Sequence, residues 1–105
     1  PWIGAIKEPS DPPHAINQAP AADLDLQWVY GYRSFDTRNN LYALSTGEVV
    51  YHTAAVGVVY NKETHEQRTY FGHTDDIVSL AVHPDGNIVA TGEMGKRPII
   101  HIWDA

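Results

Sequence analysis

The sequence contains no cysteine and a single methionine, and its seven basic residues are outnumbered by thirteen acidic ones. Without cysteine, the chain has neither a disulfide framework nor a zinc–thiolate site. The net charge of −6 argues against nucleic acid or an anionic membrane surface as a partner. No apolar run reaches the roughly 18 residues that a membrane-spanning helix needs. We therefore expect a soluble cytoplasmic protein that uses no cofactor.

The most regular stretch of the chain begins with Gly72-His73 and ends with Trp103-Asp104. Its apolar runs lie at residues 77–82, 88–91 and 99–103. The dipeptide Asp85-Gly86 separates the first two runs and is a strong signal for a tight hairpin, which makes the flanking strands antiparallel. These runs place apolar side chains on both faces of the predicted sheet, so both faces must be covered. Sheets stacked around a propeller meet that requirement.

This stretch resembles one WD repeat of a β-propeller, in which Gly-His opens the repeat and Trp-Asp closes it. In that family a buried hydrogen-bond chain links the histidine, a Ser or Thr of the second strand, and the tryptophan. The resemblance assigns these positions to His73, Thr91 and Trp103. An Asp in the turn before the last strand normally completes the chain. The turn from Gly92 to Pro98 has no Asp, so we expect this fourth member to be absent or replaced.

A second, aromatic-rich pattern precedes the WD-like stretch. It consists of residues 28–32 (WVYGY), 38–42 (RNNLY), 46–51 (TGEVVY) and 57–61 (GVVYN). The pattern resembles the HELP motif of the echinoderm microtubule-associated protein-like family, in which a WD repeat follows HELP. The match spans residues 24–104 and is closest to the long members with tandem modules. The resemblance implies a non-enzymatic protein of the cytoplasm and cytoskeleton that binds tubulin or microtubules.

The two stretches also align with each other as repeats. Setting Gly47 on Gly86 pairs Val50 with Val89 at an offset of 39 residues, and after the next turn the offset becomes 43, which pairs Tyr60 with Trp103. About 40 to 45 residues is the usual length of a WD repeat. We expect an all-β fold of antiparallel sheets, a partial WD-repeat β-propeller made of a HELP-type degenerate blade and one WD blade.

The predicted organisation is a proline-rich linker over residues 1–22, a HELP motif or degenerate blade over residues 23–71, and a WD-repeat blade over residues 72–105. A strand is predicted to begin at Leu24, because Leu24, Leu26, Trp28, Tyr30 and Tyr32 alternate with other residues. The aromatic members of this row are either an exposed binding platform or, as we favour, one packed side of the strand. About two blades cannot close a ring, so we expect the remaining propeller blades to come from a longer polypeptide.

The sequence offers little for catalysis or metal binding. Its six histidines lie in different predicted elements without metal-ligand spacing, so no metal site is expected. Asp75 and Asp76 stand near His73 and Ser79, but no nucleophile elbow accompanies them, and the two carboxylates are better read as capping residues. Lys96 and Arg97, on the turn before the last strand, are the candidates for partner contacts. A general WD-repeat scaffold for protein–protein interaction is the alternative to microtubule binding.

Overall fold

The computed structural model describes residues 3–105 and confirms the predicted all-β architecture. One short 3₁₀ helix, Ile3–Ala5, precedes the strands. The seven strands are β1 (Tyr42–Ala43), β2 (Val49–Thr53), β3 (Val56–Asn61), β4 (Glu66–Tyr70), β5 (Ile77–Val82), β6 (Ile88–Glu93) and β7 (Ile100–Asp104). No helix within residues 3–105 is long and apolar enough to cross a membrane. Pro1 and Trp2, the first residues of the predicted linker, lie outside the described range.

Strands β1 to β4 form a four-stranded antiparallel sheet in sequential order, which we call sheet 1. Short turns join the strands, and short connections are possible only between antiparallel neighbours. Gly47, in the turn before β2, has a φ of 86°, which glycine adopts without steric cost. The last strand of the sheet, β4, leads through Phe71 into Gly72-His73.

Strands β5 to β7 form a three-stranded antiparallel sheet, which we call sheet 2. The predicted hairpin turn lies between β5 and β6, and its Gly86 has a φ of 80°. Asp85 stabilises this turn, because its carboxylate accepts a hydrogen bond of 2.9 Å from the backbone N–H of Asn87. Strand β5 has the predicted bounds, whereas β6 extends past Thr91 to Glu93.

The structure supports the internal repeat and corrects its register in one place. Gly47 and Gly86 occupy equivalent turns, and β2 and β6 both begin two residues after them. Val50, however, lies opposite Val59, whereas its counterpart Val89 lies opposite Trp103. Trp103 therefore corresponds to Val59 and not to Tyr60. Strand β3 is apolar on both faces, so its hydrophobic pattern does not define the register to one residue.

The two sheets pack face to face around a small apolar core. The buried residues of this core are Leu44, Val50, Val59, Leu80 and Val89, and each is at most 6% exposed. Backbone hydrogen bonds join the sheets at both ends: Ser45 N–H donates to the carbonyl of Gly86, and Ile77 N–H donates to that of Ala54. Such bonds fix how the sheets lie against each other, so side chains of β2, β3 and β4 meet those of β6 and β7.

The segment before β1 differs from the prediction, because residues 24–41 contain no strand. Leu24 and Tyr30 are exposed, whereas Val29, on the opposite side of the predicted strand, is buried. The Gln67 side chain accepts a 2.8 Å bond from the Val29 N–H and donates a 2.9 Å bond to its carbonyl. Gly31 adds a φ of 75°. The segment therefore lies across the outer face of sheet 1 as irregular chain, and the predicted one-sided strand of aromatic residues is wrong.

Sheet 1 is thus covered on both faces, but sheet 2 is covered only on the face that meets sheet 1. Its other face carries Ala81 and Ala90 together with Ile100 and Ile102, and these two isoleucines are 73% and 74% exposed. We expected stacked sheets because both faces of the predicted strands are apolar. Within the described residues, both faces of sheet 1 and one face of sheet 2 are covered by other parts of the chain.

Candidate functional site at the junction of the sheets

A buried chain of hydrogen bonds lies where sheet 2 meets sheet 1. The Nε2 atom of His73, in the β4–β5 loop, lies 2.6 Å from the hydroxyl of Thr91 on β6. The indole N–H of Trp103 on β7 donates to the same hydroxyl at 3.0 Å. Thr91 is fully buried. The three residues that the WD-repeat resemblance assigned to one hydrogen-bond network therefore lie together, with His73 and Trp103 each within hydrogen-bonding distance of Thr91.

Glu93 occupies the position of the expected fourth member. Its carboxylate lies 2.8 Å from Nδ1 of His73 and accepts a 3.0 Å bond from the N–H of Thr74. The hydrogen bond with His73, followed by that with Thr74, lowers the pKa of Glu93. Residues two apart on a strand share a face, so Glu93 points the same way as Thr91. That spacing was the available signal, but sequence reasoning looked for an Asp in the turn.

The donors and acceptors among these groups fix the direction of each hydrogen bond in the network. The indole N–H of Trp103 can only donate, and an ionised Glu93 can only accept. With His73 neutral, its Nδ1–H then donates to Glu93 and its Nε2 accepts the hydroxyl proton of Thr91. Every buried polar side-chain atom of this hydrogen-bond network then has a partner, so the network holds the β4–β5 loop against β6 and β7.

Trp103 also packs across the junction onto sheet 1. Its ring stacks on Tyr70 of β4, with ring centroids 4.7 Å apart and planes within 3°. A side chain at Gly57 of β3 would meet the six-membered ring of the indole at 2.9 Å. Gly72 similarly leaves room for the hydroxyl of Tyr70, which bonds Nδ1 of His101 at 2.7 Å. The glycines thus let large aromatic groups from both sheets share one space.

An ion cluster near the same junction links the HELP-like part to sheet 2. The Arg33 guanidinium, 9% exposed, binds both carboxylate oxygens of Asp36 at 2.6 Å and reaches Asp76 at 2.8 Å. The hydrogen bonds that Arg33 donates to Asp36, and then the one it donates to Asp76, raise the pKa of Arg33. Sequence reasoning missed this cluster, because Arg33 and Asp76 are 43 residues apart and no local pattern connects them.

The hydrolytic arrangement considered from sequence does not assemble. Both ring nitrogens of His73 are engaged, by Thr91 and Glu93. Asp76 binds Arg33, and the carboxylate of Asp75 accepts a bond from the N–H of Asp76. These contacts leave His73 without a free nitrogen to act as a base.

His52 on β2 is a second buried histidine at the junction. Its side chain is fully buried and neither ring nitrogen has a hydrogen-bond partner within the described part of the chain. Burial, and then the positive charge of Arg33, lowers the pKa of His52. The alignment of Val50 with Val89 places His52 on Thr91, so the HELP-like sheet carries an unsatisfied imidazole where sheet 2 carries a bonded hydroxyl.

Lys96 and Arg97 lie on the exposed β6–β7 turn. Together with Met94, Gly95 and the β4–β5 loop they line a hollow of about 500 Å³. Within residues 3–105, neither cation forms a salt bridge, in contrast to Arg33 and Arg68. The turn therefore presents two neighbouring positive charges to solvent on a chain with an acidic balance.

Comparisons with known proteins agree with this architecture. The HELP motif matches residues 19–58, and the WD domain, G-beta repeat, matches residues 64–104. The chain therefore contains a HELP motif followed by a WD repeat. It is 48% identical over 98 residues to the 77 kDa echinoderm microtubule-associated protein of Lytechinus variegatus. It is 51% identical over 96 residues to echinoderm microtubule-associated protein-like 1 of Homo sapiens. It is 50% identical over 97 residues to echinoderm microtubule-associated protein-like 2 of Rattus norvegicus.

These alignments cover 88%, 84% and 85% of the chain, so the resemblance to this family is confirmed over most of its length. The chain in turn spans only 12% to 15% of these relatives. The WD match begins at residue 64 and includes β4, although β4 is hydrogen-bonded to sheet 1. A WD sequence repeat and a propeller sheet are thus offset by one strand, and the last strand of sheet 1 leads directly into the Gly72-His73 of the next sheet.

Proposed function

We propose that this chain is a non-enzymatic part of a tandem β-propeller module that binds tubulin or microtubules in the cytoplasm and cytoskeleton. The observation that carries the proposal is the presence of a HELP motif and a WD repeat. Over this stretch the chain is 48% and 51% identical to two proteins that are named for microtubule association. The site geometry agrees with a binding role. Its buried polar groups hold loops in place, and none of the described constellations provides a free nucleophile and base.

The β6–β7 turn is the part of the surface that we assign to the partner. Turns alternate between the two ends of an antiparallel sheet, and the bond between Ser45 and Gly86 places the β1–β2 and β5–β6 turns at one end. The β6–β7 turn, with Lys96 and Arg97, therefore lies at the other end beside the β4–β5 loop. The net charge of −6 disfavours general attraction to acidic tubulin tails, so contact depends on this local patch.

Co-sedimentation of the full-length protein with microtubules over a series of salt concentrations tests the proposal. Reversing both charges with Lys96→Glu and Arg97→Glu is expected to weaken binding several-fold and to reduce its salt dependence. Lys62→Glu is the matched control, because Lys62 is exposed on the β3–β4 turn at the opposite end. Absence of microtubule and tubulin binding at low salt would refute the function, and equal effects of both variants would refute the assigned surface.

A general protein-binding scaffold is the second candidate, supported by the WD repeat itself, whose fold serves many partners. Affinity capture with the full-length protein separates the two functions. A microtubule-associated protein should recover tubulin as the main partner and lose it with the Lys96→Glu and Arg97→Glu changes. A scaffold should recover another protein at least as well and be indifferent to these changes.

The uncovered face of sheet 2 supports the further proposal that another blade of the module packs there. Ile100 and Ile102, both on β7, are largely exposed to water, which is unfavourable. Burying one such side chain contributes roughly 1.5–3 kcal/mol. Ile102→Asp should therefore strongly destabilise the full-length protein, whereas Ile6→Asp, at a site 66% exposed in the linker, should not. Equal melting temperatures for the two variants would show that the face of Ile102 stays in solvent.

A further inference from the structure

A short loop before β1 closes over the buried imidazole of His52. This segment, residues 33–40, is folded on itself, because the carbonyl of Arg33 accepts hydrogen bonds from the side chains of Thr37 and Asn40. We call it the Arg33 loop. Its two ends are buried, and most residues between them are exposed. Among the described residues, its backbone is bonded to sheet 1 at one point, where the N–H of Arg33 donates to the carbonyl of His52 at 3.0 Å.

The Arg33 loop is held in place mainly by charge. Its guanidinium binds the Asp36 carboxylate within the loop and reaches Asp76 of the β4–β5 loop at 2.8 Å. The strands beneath the loop are held more firmly, because β2 is paired with β3 along all five of its residues. Regions with few backbone bonds and much exposed chain open at the lowest cost. Around His52, the Arg33 loop is therefore the part of the structure that opens most readily.

The ring of His52 has no hydrogen-bond partner within the described residues, at either nitrogen. The charged or titratable side chains that act on it are Arg33 and Asp36 of the Arg33 loop and His73 of the β4–β5 loop. The strands packed against it add none, because β3 places Gly57 opposite it and β5 contains no titratable residue. The Asp36 carboxylate is already bound by the guanidinium at 2.6 Å. A proton on His52 would therefore create a buried cation beside Arg33 without a carboxylate of its own.

We propose that the Arg33 loop is a pH-sensitive latch, which opens when His52 takes up a proton. A charged imidazole requires a hydrogen-bond acceptor or contact with solvent, and the closed loop provides neither. Opening the loop lets water reach the ring and moves the guanidinium away from the new positive charge. It breaks the backbone bond to His52 and the bridge to Asp76. The sheets stay packed, because the bond between His73 and Glu93 does not involve the loop.

The size of the effect follows from the protonation of His52 when the loop is open. A histidine in contact with water titrates at about pH 6.5. With the loop closed, burial and then the positive charge of Arg33 lower the pKa of His52. The open form therefore binds the proton first as the pH falls. Between pH 7.5 and 5.5, this protonation increases the equilibrium constant for opening by about tenfold.

Hydrogen exchange of the full-length protein measures this opening, when it is resolved to single amides by mass spectrometry and corrected for the intrinsic effect of pH. The amide of Arg33 reports on the loop because it donates to His52, and that of Ile77 reports on the sheets because it donates to Ala54. Opening at Arg33 should increase about tenfold from pH 7.5 to 5.5 and should exceed opening at Ile77 by at least about tenfold at both values. Equal opening constants at the two amides would overturn the proposal, because loop and sheets would then open together.

Two variants test whether His52 is the sensor and whether Asp36 holds the loop closed. In His52→Leu, opening at Arg33 should change less than about twofold between the two pH values. The matched control is His14→Leu, in the exposed linker, which should keep the tenfold increase. Asp36→Asn should raise opening several-fold already at pH 7.5, because it weakens the hold on the guanidinium.

The second variant keeps the test decisive should His52→Leu fail to fold. A tenfold pH dependence that persists in His52→Leu would overturn the role of His52 as the sensor. Unchanged opening at pH 7.5 in Asp36→Asn would show that the ion pair does not close the loop, and the proposed latch would then be wrong.

Discussion

Substitution of Gly57 by alanine tests how closely the two sheets approach each other. The Cβ of the new side chain would lie 2.9 Å from the indole of Trp103 and 3.4 Å from Cβ of Tyr70. The indole cannot easily retreat, because its N–H is bonded to Thr91 at 3.0 Å and its ring is stacked on Tyr70. The added methyl group must therefore push β3 away from β7 or break one of these contacts.

The expected cost follows from two opposing effects. Overpacking a well-filled interior by one methyl group costs about 1–3 kcal/mol. Replacing glycine by alanine also restricts the unfolded chain and contributes about 0.4–1 kcal/mol of stability where the backbone permits it, as it does at Gly57, whose φ is not positive. The steric effect is the larger, so Gly57→Ala should lower the free energy of unfolding by about 1–2 kcal/mol.

The assay is thermal or urea unfolding of the full-length protein, with Gly4→Ala as the control. Gly4 has no atom within 4 Å of the position of an added Cβ, so its substitution should change stability little. A double-mutant cycle with Trp103→Phe identifies the cause, because phenylalanine lacks the ring atoms that the new Cβ would meet. Gly57→Ala should cost less in the Trp103→Phe background. Strictly additive effects, or no loss of stability in Gly57→Ala, would refute the close-packing argument.

Three further predictions concern the polar groups of the junction, each measured as a melting temperature. Thr91→Val leaves the indole N–H of Trp103 unpaired and should cost about 1–3 kcal/mol; no change would mean that the bond contributes little. The pKa of His52 is lower in the folded protein than in the unfolded chain, so protonation of His52 favours unfolding. Its contribution to the free energy of unfolding should therefore be fully present above the unfolded pKa of about 6.5 and should be lost as the pH falls below that value. The loss between pH 7.5 and 5.5 should be smaller in His52→Leu, and an equal loss would contradict this role. Arg33→Lys cannot bind Asp36 at two points while reaching Asp76, so it should destabilise the protein more than Arg38→Lys at an exposed site; equal effects would count against the bridge.

The strands and turns of sheet 2 could be predicted because their signals are local. Asp85-Gly86 specifies a tight turn by its own backbone preferences, and the apolar runs beside it are long enough for one strand each. Gly47 has a positive φ in the equivalent turn of sheet 1, and aligning it with Gly86 shows the internal repeat. Local signals failed in residues 24–32, because the Gln67 side chain, 38 residues away from Val29, takes the backbone bonds that a strand would need.

The polar network could be predicted only in part. His73, Thr91 and Trp103 follow from the WD-repeat resemblance, since the repeat carries them at recognisable positions. Glu93 required the observed length of β6, which continues past Thr91 and keeps the alternation of faces. The contact between His101 and His73 could not be predicted, because it depends on the pairing of β7 with β6, which places His101 opposite Thr91.

By itself, the amino-acid sequence determined where most strands and turns form and which family the chain resembles, because turn residues and apolar runs act over a few neighbours. Only the tertiary structure decided which side chains share the junction. Arg33 reaches Asp76, and Gly57 receives the indole of Trp103, because strand register and sheet packing bring together positions more than forty residues apart. Those contacts depend on how two sheets face each other, and no local pattern encodes that relation.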